Sequence, residues 1–325
     1  MRSLLLALSS MLTLTGCAAA RRAPPPSGAA PRRQALGVRQ PMTRVPVAGI
    51  GLAVHDSDPS GTKPAIVCLH AVAHGGGDFI PFEDAFSSRW RIITVDWPGH
   101  GYSDSDTVPT SAKRYAELFE RLVTALGLDA FVLVGNSIGG AVAITYAAEH
   151  PDKVRALVLA NPGGLDPGGL FAGIYISHLV GRFERGVRQE ARFEAWFRDY
   201  YDGILVTPEA AGRKEAIVAA GYEMAPVLVD AWKSFATPEA RLHSLLPRLT
   251  MPTLVTWARR DEVITWGRNH AAIERLPNAR VVFFEAGHAP FLETPEAFNA
   301  ELARFLDSLG SRAGGGAGDG SGGPG

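Results

Sequence analysis

Short apolar segments alternate with helix-patterned segments through the first half of the chain, and this alternation constrains the fold more than any other feature. Apolar spacing typical of helices occurs at 115–126 and again at 141–149, before Pro151. Between and around these stretches lie segments that predict strands buried on both faces: 65–69, 91–95, 131–134 and 156–159. Strands and helices in this order build βαβ units, so the sequence predicts an α/β fold with a mostly parallel sheet flanked by helices.

The alternation stops at about residue 163, where the chain becomes helical and rich in aromatic and basic residues up to about 242. Strand-like sequence then returns at 253–257 and 280–284, followed by a helix pattern at 295–309. The helical stretch therefore interrupts one sheet rather than ending a domain. We predict a core in two parts, residues 44–162 and 243–309, with a helical cap at 163–242.

The amino terminus has the layout of a secretory signal peptide at residues 1–16. A positive charge at Arg2 precedes an apolar run that is too short to span a bilayer, and small residues follow. The segment 14–17, Leu-Thr-Gly-Cys, resembles the bacterial lipobox, which implies that Cys17 is lipidated. We therefore expect an exported lipoprotein of the cell envelope, anchored in a membrane and facing the periplasm or the exterior. A soluble secreted protein cleaved after residues 18–20 is the alternative.

Two segments have compositions typical of disorder. Residues 17–43 are rich in Pro, Ala, Arg and Gly, and residues 310–325 are almost entirely Gly, Ser and Ala. Neither composition can bury enough apolar surface to offset the entropy lost on ordering. We predict a disordered tether at the first position and a disordered tail at the second.

Composition limits the possible partners and the means of stabilisation. The 325 residues include 32 Lys and Arg against 33 Asp and Glu, so no global charge favours nucleic acid as a partner. Only Cys17 and Cys68 are present, and the first lies in the targeting segment, so no disulfide framework can form. With 46% hydrophobic residues, the fold must depend on its core.

The pentapeptide 135–139, Gly-Asn-Ser-Ile-Gly, contains the leading catalytic candidate, Ser137. It follows a predicted strand and precedes a predicted helix, as a nucleophile elbow requires. The sharp turn strains the serine backbone and needs small neighbours, which Gly135 and Gly139 supply. The helix amino terminus stabilises negative charge near the serine, and the amide of Ile138 would face a developing oxyanion.

A serine nucleophile needs a base, and His288 is the best placed of nine histidines. It follows the strand segment 280–284 on a loop at a strand's carboxyl end, where parallel sheets collect active-site groups. We expect the other histidines to have packing or surface roles, with His100 bracing a loop. His70 and His74 have the i, i+4 spacing of some metal ligands but lie among Ala and Gly, so we expect no metal site.

An acidic residue must orient the histidine, and Asp261 follows the strand segment 253–257 at a second strand end. The neighbouring Glu262 is the less favoured alternative. The resulting chain order is serine, aspartate, histidine, with the helical insertion between the first two.

Together these residues resemble the α/β-hydrolase fold with a cap, over about residues 45–309. Beyond the elbow, the resemblance rests on four further segments: 69–72 (Leu-His-Ala-Val), 75–79 (Gly-Gly-Gly-Asp-Phe), 96–104 (Asp-Trp-Pro-Gly-His-Gly-Tyr-Ser-Asp) and 287–299, which begins Gly-His. The family usually has His-Gly where this chain has His70-Ala71. By resemblance, the amide of Val72 is the second oxyanion donor, with Ala73 as the fallback.

The resemblance implies an esterase-like or lipase-like serine hydrolase acting on a small-molecule ester or acyl substrate, with no cofactor. Ser137 would attack the carbonyl to form an acyl-enzyme, while His288 transfers the proton and Asp261 orients His288. Asn136, beside the nucleophile, is expected to bond either the substrate or the neighbouring loop.

Two alternatives remain open. The sequence around Ser137 and the segment 161–165 are also similar to carbon–carbon bond hydrolases of aromatic ring-cleavage pathways. Ala289 stands where those enzymes commonly have Trp, and export suits an intracellular pathway poorly. The second alternative is a binding protein that retains the fold without turnover. Epoxide hydrolases and haloalkane dehalogenases are disfavoured because their elbow nucleophile is Asp.

Overall fold

The computed structural model describes Arg21 and residues 30–314, so the predicted signal peptide, Cys17 and most of the predicted tail lie outside the described residues. The sheet within that part of the chain contains eight strands. Their bounds are β1 Thr43–Val47, β2 Ile50–Asp56, β3 Ala65–Leu69, β4 Arg91–Val95, β5 Phe131–Ser137, β6 Val154–Pro162, β7 Thr253–Ala258 and β8 Ala279–Phe284.

The strand order in the sheet is β1-β2-β4-β3-β5-β6-β7-β8. β2 pairs antiparallel with β1 and β4, and all other pairs are parallel. The mostly parallel α/β fold predicted from the sequence is therefore confirmed. Parallel strands place their carboxyl ends at one edge, and β5, β6 and β7 are consecutive neighbours there.

Helices cover the sheet and form the insertion. Their bounds are α1 Ile80–Phe86, α2 Ala112–Ala125, α3 Ile138–Glu149, α4 Leu170–Val187, α5 Phe193–Asp202, α6 Ala211–Phe235, α7 Trp266–Ile273, α8 Pro290–Glu293 and α9 Pro295–Gly314. Helices α4 to α6 follow β6 and precede β7, within the stretch predicted as a cap. Among the described residues, no helix combines the length and the apolarity that crossing a bilayer requires.

The cap has an aromatic core of its own. Phe183 of α4 and Phe193 and Phe197 of α5 are buried. Trp196 stacks on Tyr200 with ring centroids 5.5 Å apart, at the edge of this cluster. Aromatic rings bury a large apolar area, so helices α4 to α6 can pack against one another as a layer that contains no sheet.

The predicted tether is wrong for its last part, because the chain is ordered on the core from residue 30 onward. A short 3-10 helix, Arg32–Leu36, buries Leu36, and Val38 is buried beyond it. The amide of Val38 donates to both carboxylate oxygens of Asp96 at 3.2 Å, and Arg33 donates to three carbonyls of the loop that follows β4. These contacts offset the conformational entropy that the segment loses on ordering. Composition alone predicts that this loss would keep the segment disordered.

The predicted start of the disordered tail at residue 310 is also too early. Helix α9 continues to Gly314, and the remaining residues of the tail lie outside the described part of the chain.

Candidate active site

Ser137 ends β5 and directly precedes α3, in a backbone conformation that residues other than glycine rarely adopt. Its φ is 55° and its ψ is −119°. A Cβ atom at Gly139 would lie 2.3 Å from the carbonyl oxygen of Leu69, and one at Gly135 would lie 2.4 Å from that of Gly139. The elbow therefore closes only because both neighbours lack a side chain, as the pentapeptide predicted.

Two backbone amides beside the elbow are available to a ligand. Ile138 is the first residue of α3, so its amide has no acceptor within the helix. In the described part of the chain neither this amide nor that of Val72 donates a hydrogen bond. The amide of Ala73, by contrast, donates to Nε2 of His100 at 2.9 Å, which removes Ala73 as the fallback donor.

His70 and His100 brace the loop that contains Val72. Nε2 of His70 accepts from the amide of Trp97 at 3.0 Å, so its proton lies on Nδ1, 2.7 Å from the carbonyl oxygen of Ala71. Burial lowers the pKa of His70 well below its ordinary value and that of His100 to about 4. Both rings are neutral at physiological pH, and the bracing role predicted for His100 is confirmed.

His288 lies on the loop after β8 and contacts Asp261, which follows β7. Its Nδ1 is 2.6 Å from Oδ2 of Asp261. Burial opposes the charged imidazolium, but the charge of Asp261, its hydrogen bond and the charge of Glu293 outweigh burial and raise the pKa of His288. Glu262 is exposed, so the structure brings Asp261 and not its neighbour against the histidine.

The carboxylate of Asp261 is held on all sides. Oδ1 accepts from the amides of Val263 and Ile264 at 2.8 Å each, and Oδ2 also accepts from Nδ2 of Asn161 at 2.6 Å. Asn161 has a φ of 41°, and its Oδ1 accepts from the amide of Ala258 at 2.8 Å. The sequence analysis did not assign this role to Asn161, because no local pattern signals a contact with a residue 100 positions away in the chain.

Glu293 fixes the loop that presents His288. Its buried carboxylate accepts from the amides of Gly287, His288 and Ala289 at 2.8 to 3.0 Å. It also accepts from the amide of Val206, beyond α5, at 2.8 Å. One side chain therefore joins the histidine loop to the cap, a role that the sequence analysis did not assign.

Asn136 lies behind the elbow. Its Nδ2 donates to the carbonyl oxygens of Ala160 at 2.9 Å and His288 at 3.1 Å. The side chain is fully buried, and among the described residues its Oδ1 has no hydrogen-bond partner. These bonds place the backbone of His288 beside the residue before Ser137, and they favour the loop contact over the substrate contact predicted for Asn136.

His74 belongs to a buried ion-pair network rather than to a pair with His70. Its Nδ1 is 2.6 Å from Oδ2 of Asp78, a carboxylate partner that the sequence analysis missed, and Oδ1 of Asp78 pairs with Arg213 of α6. Burial opposes the charge of Asp78, but Arg213 and His74 outweigh it and lower the pKa of Asp78. Arg213 also donates to the carbonyl oxygen of Leu36 at 2.7 Å, so the network joins core, cap and amino-terminal segment.

The charge of Asp261 contributes to the pKa of two cap tyrosines. Burial, followed by the charges of Asp261 and Glu262, raises the pKa of Tyr175 of α4 to about 12. Burial, with smaller effects of Tyr175, Tyr201 and Asp261, raises the pKa of Tyr200 of α5 well above its ordinary value. These electrostatic effects accompany the direct bond between the amide of Val206 and Glu293, which joins the cap to the loop of His288.

The fold matches that of an established family. The family described as the alpha/beta hydrolase fold matches residues 64–295, and the chain belongs to that family. It is 29% identical over 260 residues to a pimeloyl-[acyl-carrier protein] methyl ester esterase of Xanthomonas campestris pv. campestris, a match that covers 78% of this chain and 98% of the relative. It is also 29% identical over 269 residues to a 2-hydroxy-6-oxo-6-phenylhexa-2,4-dienoate hydrolase of Comamonas testosteroni, covering 76% and 89%.

Solved structures share the fold. A membrane phospholipase A superposes with a TM-score of 0.71 at 24% identity, covering 85% of this chain and 88% of the other. An esterase from Exiguobacterium antarcticum superposes with a TM-score of 0.70 at 19% identity, covering 82% and 99%. The prediction of a hydrolase is confirmed by the family and by the curated relatives.

Proposed function

We propose that the protein hydrolyses carboxylic esters through Ser137, His288 and Asp261. The observation that carries the proposal is the buried contact of 2.6 Å between His288 and Asp261, on a loop that Asn136 bonds to the strained elbow. The esterase relative from Xanthomonas supports the ester as the substrate class.

The proposed reaction begins with attack of Ser137 Oγ on the carbonyl carbon while Nε2 of His288 takes the hydroxyl proton. Asp261 holds Nδ1–H, which leaves the Nε2 lone pair available and stabilises the imidazolium. The free amides of Val72 and Ile138 are the proposed donors to the oxyanion. The tetrahedral intermediate collapses, the alcohol leaves with the proton from His288, and water attacks the acyl-enzyme by the same route.

A fluorophosphonate probe tests the nucleophile directly, because it phosphonylates an activated serine. We expect the native protein to be labelled at Ser137 and to hydrolyse a p-nitrophenyl ester series, and Ser137→Ala to do neither. Ser60→Ala, which changes an exposed serine that bonds only Asp58, is the matched control. Equal labelling and turnover in Ser137→Ala would refute the proposal, and failure of the native protein to react would favour a binding protein.

Carbon–carbon bond hydrolysis is the second candidate, favoured by the relative from Comamonas. Such a reaction would use the same three residues, so mutations at those residues cannot separate the two activities. A dienone ring-cleavage product offered beside the ester series can do so. We expect turnover of the esters and none of the dienone, and the reverse result would assign the carbon–carbon activity.

The lipobox resemblance supports a further part of the proposal, export of the chain and its anchoring in a membrane through lipidated Cys17. Labelling with a radioactive fatty acid in a bacterial host tests this part independently of catalysis. We expect label on the native chain and none on Cys17→Ser. An unlabelled native chain would overturn the anchor and leave the ester proposal standing.

A further inference from the structure

The first two turns of α4 expose a cluster of large apolar side chains. Leu170 is 77% exposed, Phe171 is 73% exposed and Ile174 is 58% exposed. The same helix buries Leu179 and Phe183 in the cap, so its inner face is already satisfied. A contiguous cluster of this size on an outer helix face is typical of an interaction surface. We call these three residues the α4 patch.

The same outer face becomes cationic toward the end of the helix. Arg182 and Arg185 follow Ile174 of the α4 patch at helical spacing, with His178 between the patch and the two arginines. Among the described residues, neither arginine forms an ion pair, although the guanidinium of Arg182 lies 5.8 Å from the ring centre of Trp196. One side of a single helix therefore presents apolar groups at one end and uncompensated positive charge at the other.

The amino-terminal part of the chain returns to this helix. The backbone of Arg21 forms an isolated antiparallel β-bridge with that of Glu190. Glu190 lies three residues beyond the last residue of α4. Cys17 precedes Arg21 by four residues, and four extended residues span about 14 Å at most. A lipid on Cys17 would therefore hold the cationic end of α4 close to the bilayer.

We infer that the outer face of α4 docks on the bilayer that holds the anchor, with the α4 patch among the acyl chains and Arg182 and Arg185 at the lipid phosphates. The inference rests on the proposed anchor at Cys17. Interfacial helices combine apolar and basic residues, which here occupy the two ends of one side of α4, and a single lipid signal usually needs a second one for stable attachment.

A second copy of the chain fits this face less well than a bilayer does. In an antiparallel pairing of two α4 helices, the arginines of one copy would lie against the α4 patch of the other, where unpaired charges are costly to bury. In a parallel pairing, arginine would face arginine. Anionic lipid offers both an apolar interior and negative charge at the required depths.

Docking would also bring the candidate site close to lipid. The α4 patch begins only eight residues beyond Pro162, which pairs with Ser137 in the sheet, and Asn161, beside Pro162, bonds Asp261. An ester substrate that partitions into the bilayer would therefore be concentrated beside the cap.

Depth-dependent quenching tests the docking without reference to catalysis. The full chain, purified from the membranes of a bacterial host, is reconstituted in vesicles of phosphatidylcholine and phosphatidylglycerol and labelled with an environment-sensitive fluorophore at Phe171→Cys. Cys68 is fully buried and does not compete for the label. The matched control is Val108→Cys, another exposed apolar position that lies on the loop before α2.

We expect nitroxide-labelled lipids to quench the fluorophore at position 171 several-fold more than at position 108. Equal quenching at the two positions would overturn the inference. Protection of position 171 from aqueous iodide without quenching by lipid would assign the face to a second copy, and so would also overturn it. Fatty-acid labelling of the same preparation separates a missing anchor from a wrong docking surface.

A paired activity measurement provides a second readout. We expect Phe171→Glu to reduce turnover of a vesicle-embedded ester about tenfold and to leave turnover of a water-soluble ester unchanged. An equal loss on both substrates, or on neither, would contradict docking through this face.

Discussion

The candidate site in the core is held by many buried contacts, whereas the cap is attached to the core through few polar contacts. In the core, every residue of β5 is buried, and the carboxylate of Asp261 is surrounded by two backbone amides, Asn161 and His288. The cap is joined to the core through few buried polar groups, chiefly Arg213 with Asp78 and the amide of Val206 with Glu293. Buried and hydrogen-bonded residues of the core therefore supply the proposed chemistry, and the two polar contacts attach the cap to this core.

The first prediction tests whether the core alone supplies the chemistry. His288→Ala should lower kcat/KM for a p-nitrophenyl ester by about four to six orders of magnitude, because Ser137 loses its base, and circular dichroism should be unchanged. His150→Gln, at a half-buried histidine beyond α3, should retain native activity. Near-native activity of His288→Ala would assign the chemistry elsewhere.

The second prediction concerns Glu293, which bonds both the His288 loop of the core and Val206 of the cap. Glu293→Ala leaves buried amides of the His288 loop and of Val206 without an acceptor, so we expect the free energy of unfolding to fall by about 3 kcal/mol or more. Urea denaturation measures the change. The free energy of unfolding of Glu296→Gln, a change at an exposed residue, should stay within about 0.5 kcal/mol of the native value. A similar result for Glu293→Ala would show that the bonds of Glu293 contribute little to stability.

The third prediction concerns the ion pair that reaches the cap. Arg213→Met leaves the carboxylate of Asp78 buried with His74 alone, and we expect it to destabilise the protein by about 3 kcal/mol at neutral pH. The pKa of Asp78 is lowered in the folded protein, so its stabilising contribution is present above the ordinary value of 3.8 and is lost as the pH falls below that value.

The destabilisation by Arg213→Met should accordingly shrink in acid, as urea denaturation at a series of pH values can measure. Asp78→Asn with Arg213→Met should be more stable than Arg213→Met alone, because it removes the uncompensated charge. A pH-independent difference between Arg213→Met and the native protein would contradict the role assigned to this ion pair.

The smallest effect is expected in the pH profile of kcat/KM. The proposed mechanism requires the base form of His288, and the raised pKa of His288 should place the acid limb of the native profile above the ordinary value of 6.5. Glu293→Gln removes a charge that contributes to this rise, so the limb should move to lower pH. Glu296→Gln should not move it, and a shift of Glu293→Gln to higher pH would contradict the electrostatic account.

The comparison of the two regions also explains what the sequence could predict. β3 and β4 have the predicted bounds, because strands buried on both faces leave uninterrupted apolar runs. The sequence analysis does not predict β1 or β2 as strands. β1 alternates buried and exposed residues and lies at the edge of the sheet, so it leaves no uninterrupted apolar run. The segment around Leu36 and Val38 packs on the core because the amide of Val38 donates to Asp96. Composition does not reveal an acceptor so far away in the chain.

The candidate site divides in the same way. Ser137, Asp261 and His288 could be found because each lies at the carboxyl end of a recognisable strand. Asn161 and Glu293 act through contacts with Asp261 and Val206, which lie far away in the chain, and no local pattern encodes such contacts. The cap contains no recognisable motif, so the sequence could not indicate that Asp261 influences the pKa of two of its tyrosines.

The insertion of the cap between β6 and β7 separates Ser137 from His288 in the chain, and this separation has a consequence during biosynthesis. A chain that is synthesised and threaded across a membrane amino terminus first acquires Ser137 early and His288 only near its end. Every intermediate that ends between these two residues would carry the proposed nucleophile without its base. Reactivity would thus be withheld during biosynthesis by the order of the polypeptide itself, with no separate inhibitor.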